Sequence, residues 1–106
     1  MYWVAPASCT VASAVMALSS APSATGTYCK VQVMKNSTLE TGSIFTSDLP
    51  MNVSEVTGAT NGIYQASGTL DSGMTTLAAG DVLHFRVNQA DAGSVDLLVQ
   101  VKVNFT

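Results

Sequence analysis

The segment from Ser94 to Phe105 alternates between apolar and polar side chains. One parity is entirely apolar and comprises Val95, Leu97, Val99, Val101, Val103 and Phe105. The other parity is polar except for Leu98. A period of two places successive side chains on opposite faces of a β-strand, and β-branched residues pack well on such a pleated surface. The segment therefore predicts a strand with one buried face, and the rest of the chain must supply the apolar surface that covers it.

The length and the charge of the chain limit what it can be. It has 106 residues, enough for one hydrophobic core, so we predict a single domain over residues 1–106. Charged residues make up 10% of the chain against about 25% in a typical soluble domain, and the net charge is -3. No two basic residues are adjacent, so we expect no nucleic-acid partner. No apolar run approaches the roughly 18 residues of a membrane helix, and we expect no membrane partner.

The first residues are unusually apolar for a chain end. Residues 1–8 are predicted to form an edge strand or an N-terminal arm, because Pro6 cannot donate a ladder hydrogen bond. A signal peptide is not expected, since no Lys or Arg precedes the apolar run and Pro6 interrupts it. Two interpretations stay open for Met1, Tyr2 and Trp3. They either complete the core of this domain or dock on a neighbouring protein as an anchor.

Further strand patterns recur along the chain, separated by segments rich in Gly, Ser, Thr, Asn and Pro. The segments with this pattern are 2–5, 9–18, 28–35, 43–45, 51–56, 63–70 and 82–87. Residues 88–93 are expected to close a hairpin between the last two strands. This spacing, without a convincing long helix, predicts an all-β fold, an antiparallel β-sandwich or jelly roll.

Two of the predicted strands have well-defined faces. In 28–35 the residues predicted to point inward are Cys29, Val31 and Val33, and those predicted to point toward water are Lys30, Gln32 and Lys35. Met34 shares the outward parity, which indicates an end effect or a contact with another subunit. In 82–87 the predicted inward residues are Leu83, Phe85 and Val87, and the predicted outward residues are Val82, His84 and Arg86.

The motif T-L-A-A-G-D at residues 76–81 predicts a tight turn into the strand that follows. Gly80 can adopt the positive φ that such a turn needs. The side chain of Asp81 can accept hydrogen bonds from backbone N–H groups of the same turn. We therefore assign a structural role to both residues.

Residues with catalytic or metal-binding chemistry are few. His84 is the only histidine, and the two cysteines, Cys9 and Cys29, are too far apart for a Cys-x-x-Cys pair. Free, buried thiols are favoured over a disulfide between them, because each lies in a predicted strand. His84 is expected at a surface or an interface, since no orienting partner for a general base is evident. We expect no catalytic residues, no metal and no cofactor, and hence no enzyme.

Three segments together resemble a known group of proteins. They are Y-W-V-A-P-A-S-C-T-V near the start, C-K-V-Q-V-M-K-N in the middle and T-L-A-A-G-D-V-L-H-F-R-V before the final strand. In this order they are similar to segments of the small head-decoration and fibre-associated proteins of tailed bacteriophages. The resemblance extends over nearly the whole chain.

The resemblance implies a capsid decoration protein, also called a cement protein. Such a protein would be made in the host cytoplasm, form a homotrimer on the exterior of the virion and bridge subunits of the major capsid protein. On this basis Met34, Val82 and Leu98 are expected to line the subunit contact. Tyr2, Trp3 and Val4 are expected to contact the capsid or the adjacent subunit. The alternative is a fibre or tail module that binds a receptor or a glycan through exposed aromatic side chains.

Overall fold

The computed structural model describes residues 1–106 and contains eight strands. The strands are β1 (Tyr2–Val4), β2 (Cys9–Leu18), β3 (Tyr28–Lys35), β4 (Met51–Ser54), β5 (Tyr64–Ser67), β6 (Thr76–Leu77), β7 (Val82–Ala90) and β8 (Leu98–Phe105). The helical content is confined to two single 3-10 turns, Glu40–Gly42 and Thr46–Asp48. The structure has no helix with the length and apolarity needed to cross a membrane.

The strands form two four-stranded sheets in which every pairing is antiparallel. The first sheet has the order β1-β7-β3-β4. In the second sheet β2 is central, with β8 along one side and with β5 and β6 along the other. The prediction of an all-β antiparallel sandwich is confirmed. β4 and β5 contact each other across the sheets, so one side of the sandwich is closed.

The core lies between the inward faces of β2 and β3. Met16 and Val33 are fully buried there, and Phe45 and Met51 extend the same cluster toward the closed side. Both cysteines are buried in this cluster and are not bonded to each other. Each buried aliphatic side chain contributes roughly 1.5–3 kcal/mol, so this cluster supplies most of the favourable free energy of folding.

A β-bulge in β2 explains why its alternation is mixed in the sequence. The pairing of β2 with β8 shifts register between Val11 and Ser13. Before the bulge Val11 is buried, and after it the buried residues are Ala14, Met16 and Leu18. Because an inserted residue exchanges the two faces of a strand, the inward parity changes from odd to even.

The predicted outward positions of β3 are corrected by the structure. Gln32 and Met34 are both fully buried. The connection from β3 to β4 folds over them: Gln32 Nε2 donates to the Asp48 carbonyl at 2.8 Å, and Ser43 Oγ donates to Gln32 Oε1 at 2.7 Å. Met34 forms a backbone bridge with Ser43. Met34 therefore cannot line a subunit contact, and the prediction for it was wrong because a loop covers this face.

The expected hairpin between the last two strands is also wrong. β7 pairs with β1 and β3, whereas β8 pairs with β2 in the other sheet. The connecting residues cross between the sheets and are fixed to the β2–β3 loop. Ser19 N–H donates to the Val95 carbonyl at 3.0 Å, and Ser23 N–H donates to the Ala92 carbonyl at 2.9 Å. β8 therefore becomes an edge strand.

We predict that Gly68→Ala destabilises the fold by about 1–3 kcal/mol, the usual cost of overpacking a core. A Cβ at Gly68 would lie 2.0 Å from Cε1 of the buried Phe45 ring. Gly58→Ala is the matched control, since a Cβ there meets nothing within 4 Å. Urea unfolding of both variants measures the difference in the free energy of unfolding. Equal stabilities of the two variants would contradict the packing described here.

Candidate functional site

An apolar trough opens between the two sheets on the side opposite β4 and β5. Its volume is about 790 Å³, and 12 of its 13 lining residues are hydrophobic. The floor and walls are formed by Trp3, Val31, Leu83, Phe85, Val99, Val101 and Val103, and the mouth by Met1, Tyr2, Arg86, Val87, Leu97 and Leu98. An apolar hollow of this size that is open to water indicates a binding surface.

The trough exists because the edge strands on this side do not meet. β8 is hydrogen-bonded only to β2, and β1 is hydrogen-bonded only to β7. β1 covers β7 only at Val82, Leu83 and His84, with one further bond from Phe85 N–H to the Met1 carbonyl at 2.9 Å. Beyond that point the β7 side chains become more exposed, from Leu83, which is fully buried, to Val87, which is 50% exposed.

The inward face of β8 has the predicted apolar composition, but it is less buried than predicted. Val99, Val101 and Val103 alternate with exposed neighbours, which agrees with the period-two pattern. However, these valines are only half-buried, and Phe105 is 57% exposed. The alternation correctly identifies the side that faces the other sheet, but that sheet does not extend far enough to cover it.

β1 contributes side chains to two surfaces. Trp3 points inward and packs against the core cluster. Tyr2 and Val4 lie on the outer face of the first sheet, where they are 63% and 56% exposed. The ring of Tyr2 stacks on His84, with centroids 4.6 Å apart and an angle of 19° between the planes. Val82 pairs with Val4 on the same face and is half-buried.

The structure thus separates the six predicted contact residues into three environments. Tyr2, Val4 and Val82 share the outer face of the first sheet, and Tyr2 also reaches the mouth of the trough. Trp3 and Leu98 lie across the trough from each other, on its wall and at its mouth. Met34 is buried elsewhere. Most of the trough lining was predicted only as core, because no local signal shows that the opposite sheet leaves it uncovered.

Arg86 has the only charged side chain at the mouth of the trough, and it is already paired on the outer face. Its guanidinium donates to Glu40 Oε1 at 3.1 Å, to the Thr38 carbonyl at 3.1 Å and to Asn88 Oδ1 at 2.7 Å. No charged side chain is therefore directed into the trough. The ammonium group of Met1, also at the mouth, donates to the Phe85 carbonyl at 3.4 Å. An ionised ligand would lose its hydration against this almost entirely hydrophobic lining, which favours an apolar occupant.

The turn at residues 76–81 holds β1 against β7. Gly80 adopts a positive φ of 90°, and its N–H donates to the Ala5 carbonyl at 2.8 Å. Ala5 N–H in turn donates to the Asp81 carbonyl at 2.8 Å. The Asp81 carboxylate accepts from Asn36 Nδ2 at 3.1 Å and from Ala78 N–H at 2.9 Å. These bonds fix the C-terminal end of β1, the strand that contributes to both the trough and the outer face of the first sheet.

Catalytic chemistry has little support in the arrangement of side chains. No group of three or more His, Cys, Asp and Glu side chains is placed to hold a metal ion. Nδ1 of His84 is buried without a hydrogen-bond partner, and the imidazole stacks on Tyr2. Burial raises the pKa of the Cys29 thiol; the hydrogen bond with Ser94 lowers it and the Asp91 carboxylate adds to the increase. This makes Cys29 a poor thiolate nucleophile.

The three tyrosine side chains do not form one platform. Tyr2 lies on β1, whereas Tyr64 lies on β5 of the other sheet. Tyr28 lies on β3, and the Lys30 ammonium is 4.6 Å from its ring centroid. A stacking site for sugars would need these rings side by side. The glycan-binding alternative therefore gains no support from their positions.

Comparisons with known proteins add no relative. No protein-family model matches the chain, and no curated protein or solved structure matches it.

We predict that Asp81→Asn lowers stability at neutral pH and that this loss becomes smaller in acid. The Asn36 amide holds the pKa of Asp81 below its usual value, with further contributions from Ala78 N–H and the Lys35 ammonium. A lowered pKa stabilises the fold above the usual value of 3.8, and the stabilisation is lost as the pH falls through the pKa of the folded state. Urea unfolding at neutral pH and well below pH 3.8 measures the effect. If the wild type and Asp81→Asn differed by the same free energy of unfolding at both pH values, the stabilising role assigned to the Asp81 carboxylate would be contradicted.

Proposed function

We propose that this protein is a capsid decoration protein of a tailed bacteriophage, with no enzymatic activity. It binds the outer surface of the head and stabilises it by bridging major capsid subunits. The observation that carries the proposal is the apolar trough, open to water along one side of the sandwich and lined almost entirely by hydrophobic residues. A surface of this kind serves to bury area against protein, and a decoration protein needs buried area and no chemistry.

A bridging protein needs at least two adhesive surfaces, and β1 contributes to both of those found here. Its inward residue Trp3 forms part of the trough wall. Its outward residue Tyr2 lines a second hollow of about 580 Å³ together with Val82 and Leu39. Its other outward residue, Val4, is exposed on the same face and pairs with Val82. We assign the outer face of β1 to the capsid and the trough to a contact between copies of the protein.

The low charge of the chain supports the same role. Only 10% of its residues are charged, so few long ionised side chains would lose hydration when its surfaces are covered. Interface centres are depleted of charge for this reason. The resemblance to head-decoration proteins supplies the specific partner, the major capsid protein. It also implies a homotrimer on the virion exterior, and both stay predictions.

We predict that Val4→Asp weakens binding to phage heads by about tenfold or more, because a carboxylate would be desolvated at the contact. Val56→Asp is the matched control: it makes the same change at an exposed valine far along the chain, between β4 and β5. Cosedimentation with intact heads assembled without this protein measures the affinity, and circular dichroism verifies that both variants are folded. Absence of wild-type binding to the heads would overturn the proposed function.

A further inference from the structure

We propose that a second copy of this chain closes the trough by pairing its β8 antiparallel to β8 of the first copy. The second sheet of each copy, which contains β2 and β8, would then join its counterpart in one continuous sheet across a two-fold axis. This inference names the partner at the trough and is independent of the proposed binding to a capsid. It also specifies two-fold symmetry, which differs from the three-fold symmetry that the resemblance implies.

The free edge of β8 is suited to strand pairing. The strand has eight residues and is hydrogen-bonded only to β2, so its other edge presents unpaired N–H and C=O groups. Natural edge strands are protected by proline, by bulges, by several charges or by short length. β8 has no proline and only one charged residue, Lys102, and the bulge in this pairing lies on β2. A long, unprotected edge of this kind adds another strand readily.

The sequence of β8 is complementary to itself in one antiparallel register. With Val101 opposite Val101 of the second copy, Val99 lies opposite Val103 and the inward face is apolar throughout. On the outward face Gln100 lies opposite Lys102, which avoids two lysines facing each other. Like charges in directly opposite positions destabilise a sheet, whereas β-branched pairs stabilise it.

The same register covers the exposed part of the trough. Both inward faces lie on the same side of the joined sheet, so the two troughs merge into one core. The large side chains at the mouth range from 38% exposed for Leu97 to 85% exposed for Met1. A second copy paired through β8 would cover these side chains and remove apolar surface from water.

The first test is the mass in solution together with site-specific crosslinking. Light scattering at micromolar concentration should give twice the monomer mass, and a monomer or a trimer would overturn the inference. Under oxidising conditions Val101→Cys should give a disulfide-linked dimer, because opposite Cβ atoms in a sheet are about 4.5–5.5 Å apart.

Val99→Cys is the matched control for the register. The two introduced thiols would lie four residues apart along the strands, about 13 Å, which is beyond disulfide reach. The native cysteines are buried in both variants. Equal crosslinking of the two variants would overturn the proposed register.

The second test uses charge at an exposed position that leaves the core unchanged. Gln100→Lys places the new lysine opposite Lys102 of the other copy, and this happens twice in each dimer. It should raise the dissociation constant of the dimer about tenfold. Gln100→Glu places a carboxylate opposite Lys102 and should lower that constant. Asn104→Lys, which faces Leu98 in this register, adds the same charge as Gln100→Lys and should change the constant little.

The charge series also separates the inference from the proposed function. If Gln100→Lys and Gln100→Glu have the same effect on dimerisation, the β8 pairing is wrong. Binding of the protein to heads tests the capsid role separately. A protein that binds heads as a trimer would retain that role and disprove the two-fold pairing.

Discussion

The structure depends on the packing of the inward row of β2 against the inward row of β3. Met16 on β2 and Val33 on β3 are fully buried, and they belong to a single cluster that also includes Phe45. The sheets come together where β4 meets β5 and separate toward β1 and β8. Because one side is closed and the other open, the same packing creates both the stable core and the trough.

Much of the fold could be predicted from local patterns. The alternation in β8, the inward row of β7 and the turn at Gly80 and Asp81 all follow from short-range rules. Other features depend on residues distant in the chain. Asn36, which holds the Asp81 carboxylate, lies 45 positions away, and the loop that buries Met34 returns from residues 43–48. A period-two pattern shows which face a residue occupies and does not show what covers that face.

The candidate site could likewise be predicted only in part from local sequence patterns. Tyr2, Trp3 and Val4 could be singled out, because large apolar groups near a chain end are unusual. The trough could not be predicted, since Phe85 and Val101 have the sequence signature of ordinary core residues. The difference between a closed core and an open trough arises from the pairing of β8 with β2. Pairing with β7, as a hairpin would require, would have placed β8 in the other sheet.

The alternation of Tyr2, Trp3 and Val4 on β1 makes insertions more damaging than substitutions. Replacing Tyr2 or Val4 alters the outer face, and replacing Trp3 alters the trough wall. Adding or deleting one residue between Trp3 and Ala5 would shift the register on β7 and turn Trp3 outward and Tyr2 inward. A change of one residue in length would therefore alter the outer face and the trough wall together, so the spacing here is constrained more tightly than the identity of any one residue.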